Sequence, residues 1–326
     1  MGRWRDMMGA GQPLRRIALD AGMHALAGLA DQLPKMRQRM NGCRLIEDVA
    51  YGRQDGVELR LDILQPVRAG PHPVLIYLHG GAFAIGSKRT HRALAAAYAA
   101  RGYLVCNVDY RLAPQYPFPA AIADTCAAWL WAADHIGAYG GDPRRMALAG
   151  ESAGANLALA LTLACCTPRP EPFAAAVFQR GLRPVAALLY CGFLQVSAAQ
   201  RYRQGGASAV AGYIATGAAR SYLGPPAVQG GPAQALADPL CLVEAMAVAP
   251  GLPPLFIAAG LNDTVLSDSQ RLEQALRRLH ASVAAHYYPG QGHGFHVLFW
   301  REQAVRCWRD SFGFLQQHLP VEPKEN

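Results

Sequence analysis

The stretch MALAGESAGANLALALTLACC, residues 146–166, decides the fold. Met146–Ala149 is a short apolar run of the kind buried on both faces of a parallel sheet. Ala153–Cys166 is apolar throughout except for Asn156 and Thr162, and fits a buried helix. Between them lies Gly150-Glu151-Ser152-Ala153-Gly154, a G-x-S-x-G placed after a strand and before a helix. That context puts Ser152 on a tight, strained turn that exposes its hydroxyl. Gly150 and Gly154 let strand and helix approach each other, and the helix N-terminus favours negative charge developing nearby. Ser152 is the expected nucleophile.

Outward from this point the chain alternates. Leu45–Tyr51 and Val57–Leu64 read as strands joined through the turn Gln54-Asp55-Gly56. Val74–Leu78, Leu104–Val108, Val185–Tyr190, Pro253–Ala259 and Val283–Tyr288 read as further strands. Arg92–Ala100, Ala120–Ile136, Ser267–His280 and Ala304–His318 read as helices between or after them. The pattern predicts an α/β fold with a mostly parallel eight-stranded sheet and helices on both faces. Two segments fall outside the rhythm. Residues 13–40 show helical spacing (Leu14, Ile17, Met23, Leu26, Leu33). About sixty residues separate Cys191 from Pro253, too many for a structureless loop, and contain a helical stretch at Ser208–Tyr222. The expected division is an N-terminal helical part of a cap (1–44), a first core half (45–192), a cap insertion (193–240) and a second core half (241–326).

A serine hydroxyl needs a histidine to take its proton and a carboxylate to orient that histidine. In this kind of fold the chain order is Ser, then Asp or Glu, then His. Asp263 follows the strand Pro253–Ala259 through Gly260-Leu261-Asn262. His293 follows Val283–Tyr288 within Pro289-Gly290-Gln291-Gly292-His293-Gly294-Phe295. Both fall past the C-terminal ends of strands, the functional edge of such a sheet. Asp268 competes with Asp263 but reads as a helix N-cap. His296 competes with His293 but reads as a helix-start or surface histidine, and His91 as structural or solvated. The strand Val74–Leu78 runs into His79-Gly80-Gly81-Ala82-Phe83, whose small residues free backbone N–H groups for a substrate oxygen. Gly81, Ala82 and Ala153 are the expected oxyanion donors, with His79 and Gly80 bracing the loop.

Bulk properties narrow the function. Hydrophobic residues make up 52% and charged residues 17%, a globular composition. The formal charge is +8, carried mainly by scattered arginines without an aromatic-interleaved basic stripe, so no nucleic-acid partner is expected. No apolar run suggests a membrane span. The N-terminus carries Arg3, Arg5, Arg15 and Arg16 without a continuous apolar core, so no signal peptide is expected. The eight cysteines (Cys43, Cys106, Cys126, Cys165, Cys166, Cys191, Cys241, Cys307) show no CxxC spacing, which argues against a metal site and for a reducing cytoplasm. No cofactor is expected.

Together these motifs resemble the bacterial hormone-sensitive lipase family of carboxylesterases. The resemblance also rests on Asp109-Tyr110-Arg111-Leu112-Ala113-Pro114, Phe118-Pro119-Ala120 and Gly140-Gly141-Asp142-Pro143, and covers roughly residues 45–320. It implies a serine esterase acting on short- to medium-chain acyl or aryl esters, with a lid built from the N-terminal helices and the insertion. It also implies a possible homodimer paired through the last strand. The alternatives are an amidase such as an arylformamidase on the same fold, and a non-catalytic receptor of the plant gibberellin type. Those receptors lose the catalytic histidine that His293 supplies here. Two positions depart from the family pattern: Ala82 stands where a third glycine is usual, and Glu151 where Asp or Thr is common.

Overall fold

The computed structural model describes residues 18, 20–22, 24–25, 42–68, 70–203, 209–224 and 232–321. Eight strands form one sheet: β1 (Cys43–Gln54), β2 (Val57–Pro66), β3 (His72–Leu78), β4 (Leu104–Val108), β5 (Gly141–Glu151), β6 (Ala187–Tyr190), β7 (Leu255–Gly260) and β8 (Val283–Tyr288). Their order is β1-β2-β4-β3-β5-β6-β7-β8. β2 runs antiparallel to both β1 and β4, and all other neighbours are parallel. The β1–β2 turn places Asp55 (φ 47°) and Gly56 (φ 78°) in the left-handed region, which matches the twist of a two-residue hairpin.

Eight α-helices are described: α1 (Arg92–Ala99), α2 (Ala120–His135), α3 (Ala153–Cys166), α4 (Pro172–Gln179), α5 (Ala209–Leu223), α6 (Pro239–Ala245), α7 (Leu266–Arg278) and α8 (Glu302–His318). The strands serve both faces because alternate side chains point opposite ways. Val74, Ile76 and Leu78 of β3, with Met146 and Leu148 of β5, pack with α2, α3 and α7. Leu75 and Tyr77, with Ala147 and Ala149, pack with α1 and α8. All fourteen residues of α3 are buried, which is why its sequence shows no polar stripe. α4 does not appear in the strand–helix reading of the sequence; it is a short helix with Pro172 in its first turn.

Winding reverses at β3, which lies between β4 and β5, so the C-terminal ends of β3 and β5 open onto the crevice where sites form in such sheets. The family-like stretch after β4 is structural. Arg111 grips the buried Asp124 of α2 through Nε (2.9 and 3.1 Å) and Nη2 (2.8 Å). Most of the N-terminal segment 13–40 lies outside the described residues. Ala18, Asp20–Gly22, His24 and Ala25 are helical, and they dock beside the loop after β3. Gly86 N–H donates to Asp20 Oδ1 (2.9 Å), and His24 Nε2 meets Ser87 Oγ (3.0 Å).

The approach of α3 to β3 is very close. A Cβ at Gly154 would meet the Leu78 carbonyl oxygen at 2.0 Å and that of His79 at 2.6 Å. Gly154→Ala is therefore expected to cost on the order of 3 kcal/mol or more, because backbone and not a flexible side chain must move. Urea unfolding followed by circular dichroism checks it.

Candidate active site

Ser152 sits between β5 and α3 with φ 52° and ψ −110°. A non-glycine residue held there costs roughly 1–3 kcal/mol, so its surroundings must over-determine it. They do. The Ser152 N–H donates to Tyr190 O (2.9 Å), and its carbonyl accepts from Asn156 N (3.2 Å) and Phe193 N (3.2 Å). The Asn156 amide in turn donates to Phe193 O (2.9 Å) and Ala237 O (3.0 Å), tying the elbow to the 193–240 segment.

Two other loops bring their residues to the same place. His293 Nε2 lies 3.0 Å from Ser152 Oγ, and His293 Nδ1 lies 2.9 and 3.1 Å from the two Asp263 oxygens. Asp263 Oδ1 also accepts from Val265 N (2.9 Å), which fixes the carboxylate in a fully buried position at the start of α7. Facing a carboxylate, Nδ1 carries the proton, which leaves the Nε2 lone pair for the serine hydroxyl. Burial alone would lower the imidazole pKa. The Asp263 carboxylate outweighs it, with Glu151 adding in the same direction, and His293 ends above the ordinary histidine value of 6.5.

Asp268 lies elsewhere and does other work. The N-cap of α7 is Val265, and Asp268 is fully buried within the first helical turn. Its Oδ2 accepts from Leu194 N (2.8 Å), Gln195 N (3.0 Å) and Tyr202 Oη (2.6 Å), and Arg201 pairs with Oδ1. It anchors the chain after β6, a role that sequence spacing alone does not reveal.

The loop after β3 explains its own composition. Gly81 has φ 118°, and a Cβ there would meet the Ile85 carbonyl oxygen at 2.0 Å, so only glycine fits. Ala82 accepts a left-handed φ of 56° and carries its methyl group at the cavity wall. Ala153 is the first residue of α3, and its N–H has no carbonyl one turn earlier to bond. His79 stacks on Tyr110 (4.2 Å between ring centres), and its Nδ1 meets Gly80 O at 2.6 Å. Burial pushes its pKa down to about 3, so it is a neutral brace.

Glu151 is buried beneath the elbow between His91 Nε2 (2.7 Å) and His296 Nε2 (2.8 Å). His296, expected at the surface or a helix start, lies in the short 3-10 helix Phe295–Val297 but is only 1% exposed, and His91 is also buried. Both belong to the site's surroundings. No motif marks them, because they lie 60 and 145 positions from Glu151 along the chain.

A cavity of about 460 Å³ opens over Ser152 and His293, lined mainly by apolar groups including Ile85, Phe193, Ile214, Val265 and Val297. A larger cleft of about 570 Å³ between α1 and α8 is lined by Arg101, Trp308 and Phe312 and holds no nucleophile beside a base. Among the described residues, one group could offer metal donors: Cys191, Asp263 and His293, with ligand atoms within 4.8 Å of one another. Both nitrogens of that histidine already face Asp263 and Ser152, and burial and the nearby Asp263 carboxylate raise the Cys191 thiol pKa, which disfavours the thiolate a metal needs.

A family model described as the alpha/beta hydrolase fold matches residues 75–297. The chain belongs to this α/β-hydrolase family. It is 33% identical over 301 residues to an acetyl-hydrolase of Streptomyces hygroscopicus, covering 91% of this chain and 85% of that one. A 93-residue stretch is 45% identical to Carboxylesterase NlhH of Mycobacterium tuberculosis, and spans 28% of this chain and 29% of that protein. The match thus spans less than a third of that carboxylesterase's length. Among solved structures, a bacterial heroin esterase superposes with a TM-score of 0.73 at 26% identity, covering 96% of this chain and 93% of that one. Esterase LipW of Mycobacterium marinum superposes at 0.76 and 24% identity over 93% and 90%, a likeness of fold. These findings agree with the hormone-sensitive lipase branch of the α/β-hydrolases that the motifs resemble.

A base must be neutral to accept a proton. With the His293 pKa raised, kcat/KM for a neutral ester is expected to fall on the acid side, with a midpoint above 6.5. Asp263→Asn removes the group that raises it. That variant should shift the midpoint down and cut kcat by about 10³- to 10⁴-fold, as a stopped pH–rate series would show.

Proposed function

We propose that the chain is a serine carboxylesterase for small, uncharged esters, working through Ser152, His293 and Asp263. The observation that carries this reading is the unbroken relay of contacts, 3.0 Å from Ser152 Oγ to His293 Nε2 and 2.9 Å from His293 Nδ1 to Asp263. Ser152 Oγ attacks the ester carbonyl as its proton passes to His293 Nε2. The carbonyl oxygen becomes an oxyanion within reach of the Gly81, Ala82 and Ala153 N–H groups. His293 returns the proton to the alkoxide leaving group, giving the alcohol and an acyl-Ser152. A water then repeats the sequence and releases the acid. Asp263 keeps Nδ1 protonated and stabilises the transient imidazolium. No step calls on a metal or cofactor.

Substrate size follows from the walls. Ile214 of α5, Val297 and Ala82 line the cavity, and the Ala82 methyl narrows it. An apolar cavity of about 460 Å³ favours a short acyl chain or small aryl group over a charged peptide. The names of relatives, an acetyl-hydrolase and an ethyl acetate hydrolase of Pseudomonas putida, support the same range. Segment 193–240 supplies α5 above the site and acts with the N-terminal helical residues as the cap. β8 is an edge strand of the sheet and supports pairing of two copies through it. None of the eight cysteines forms a disulfide, a usage that supports a reducing compartment. Among the described residues, no helix is long and apolar enough to cross a membrane.

A series of p-nitrophenyl esters from acetate to decanoate tests the reading. Activity should peak at four carbons or fewer by about tenfold over decanoate, and fall to background in Ser152→Ala. A formanilide run in parallel should be hydrolysed far more slowly than the aryl ester.

A further inference from the structure

The relay above uses three side chains and leaves a buried carboxylate unexplained. Glu151 is 5% exposed and adjoins the nucleophile. Its partners come from three separate parts of the chain. His91, just ahead of α1, approaches Oε1, and His296, three residues past His293, approaches Oε2. The Gly80 N–H, from the oxyanion loop, faces Oε1 at 3.4 Å. A neutral pairing would not account for His91. Its Nδ1 meets Thr90 Oγ1 at 2.8 Å, while that hydroxyl donates to Ser87 O at 2.8 Å, so Nδ1 must donate. Its Nε2 faces a carboxylate, so both ring nitrogens carry protons and the pair is imidazolium against carboxylate.

We propose that Glu151 is a positioning residue for the hydrolytic reaction, held between His91 and His296 so that it ties the oxyanion loop and the His293 loop to the elbow and sets a second fixed carboxylate in the wall of the cavity that His293 also lines. This rests on the reading of Ser152 and His293 as nucleophile and base. During turnover His293 becomes an imidazolium, and a carboxylate already fixed in a water-poor site stabilises it without reorganising. The other groups around the cluster do not supply that charge. His79 is neutral, Tyr77, Tyr110 and Tyr190 are buried phenols, Cys191 is a buried thiol, Asp109 accepts from the Lys88 N–H, and the His91 imidazolium offsets part of the Glu151 charge without removing it. Burial would by itself raise the Glu151 pKa, but the two histidines hold it well below the carboxylate range. Tyr190 stacks on His296 (4.7 Å between ring centres), which keeps that side of the clamp in place.

The test is steady-state hydrolysis of p-nitrophenyl acetate across pH by Glu151→Gln, Glu151→Asp and His296→Gln, with urea unfolding of each. Glu151→Gln should lose kcat on the order of tenfold or more with KM within about twofold, and its acid limb should move to lower pH. Glu151→Asp keeps the charge, so its acid limb should stay with the wild type even where kcat falls. His296→Gln loosens one jaw and should lower kcat about fivefold or more without moving the limb. A folded Glu151→Gln with wild-type kcat, or with an unmoved acid limb, overturns the proposal. If that variant does not fold, wild-type kcat in folded His296→Gln overturns it instead. Fluorophosphonate labelling of the wild type separates the two levels: no adduct at Ser152 means that the nucleophile assignment has failed, and with it the premise.

Discussion

The backbone contact between Gly154 and the end of β3 is the constraint on which the site depends. Helix α3 approaches so closely that any side chain at 154 would overlap the Leu78 carbonyl, and any at 150 would overlap the Gly154 carbonyl at 2.3 Å. This closeness forces the turn between β5 and α3 into the conformation seen at Ser152. It also brings the start of α3, with its free N–H groups, against the loop leaving β3. Ser152 and the N–H groups proposed as oxyanion donors are therefore positioned by one packing event between a central strand and a buried helix. A rigid core thus holds the strained residue.

The electrostatics build on that frame. Asp263 and His293 arrive on loops after β7 and β8, at the same edge of the sheet. Asp263 is fully buried, while His293 keeps an edge open to the cavity (its side chain is 42% exposed), as its proposed role of carrying a proton between serine and leaving group requires. Beneath them the Glu151 carboxylate lies between His91 and His296, shielded from water. Around this polar floor the cavity wall is apolar. Charges are concentrated where the proposed reaction develops charge, and the cavity wall around them is mainly apolar.

Much of this was legible from local pattern. Strands β4 and β8 and helix α3 have the boundaries that apolar runs and turn residues predict, and the order Ser152, Asp263, His293 matches the relay found in space. What could not be read was set by contacts between distant positions. His91 and His296 carry no motif, and only the fold brings them onto Glu151. Asp268 looked like a cap by its place at a helix start, yet the buried N–H groups of Leu194 and Gln195 claim it. β5 begins at Gly141, earlier than its apolar run, because Gly141 pairs with His72 before hydrophobic packing starts.

The central claim is that Ser152 is a nucleophile activated by a neutral His293. Intact-mass and peptide-mapping analysis of the protein after brief exposure to a fluorophosphonate tests it most directly. The account predicts a single adduct per chain, on Ser152, forming faster as pH rises through the His293 titration. An unmodified chain, or an adduct on any other residue with Ser152 left free, would contradict it.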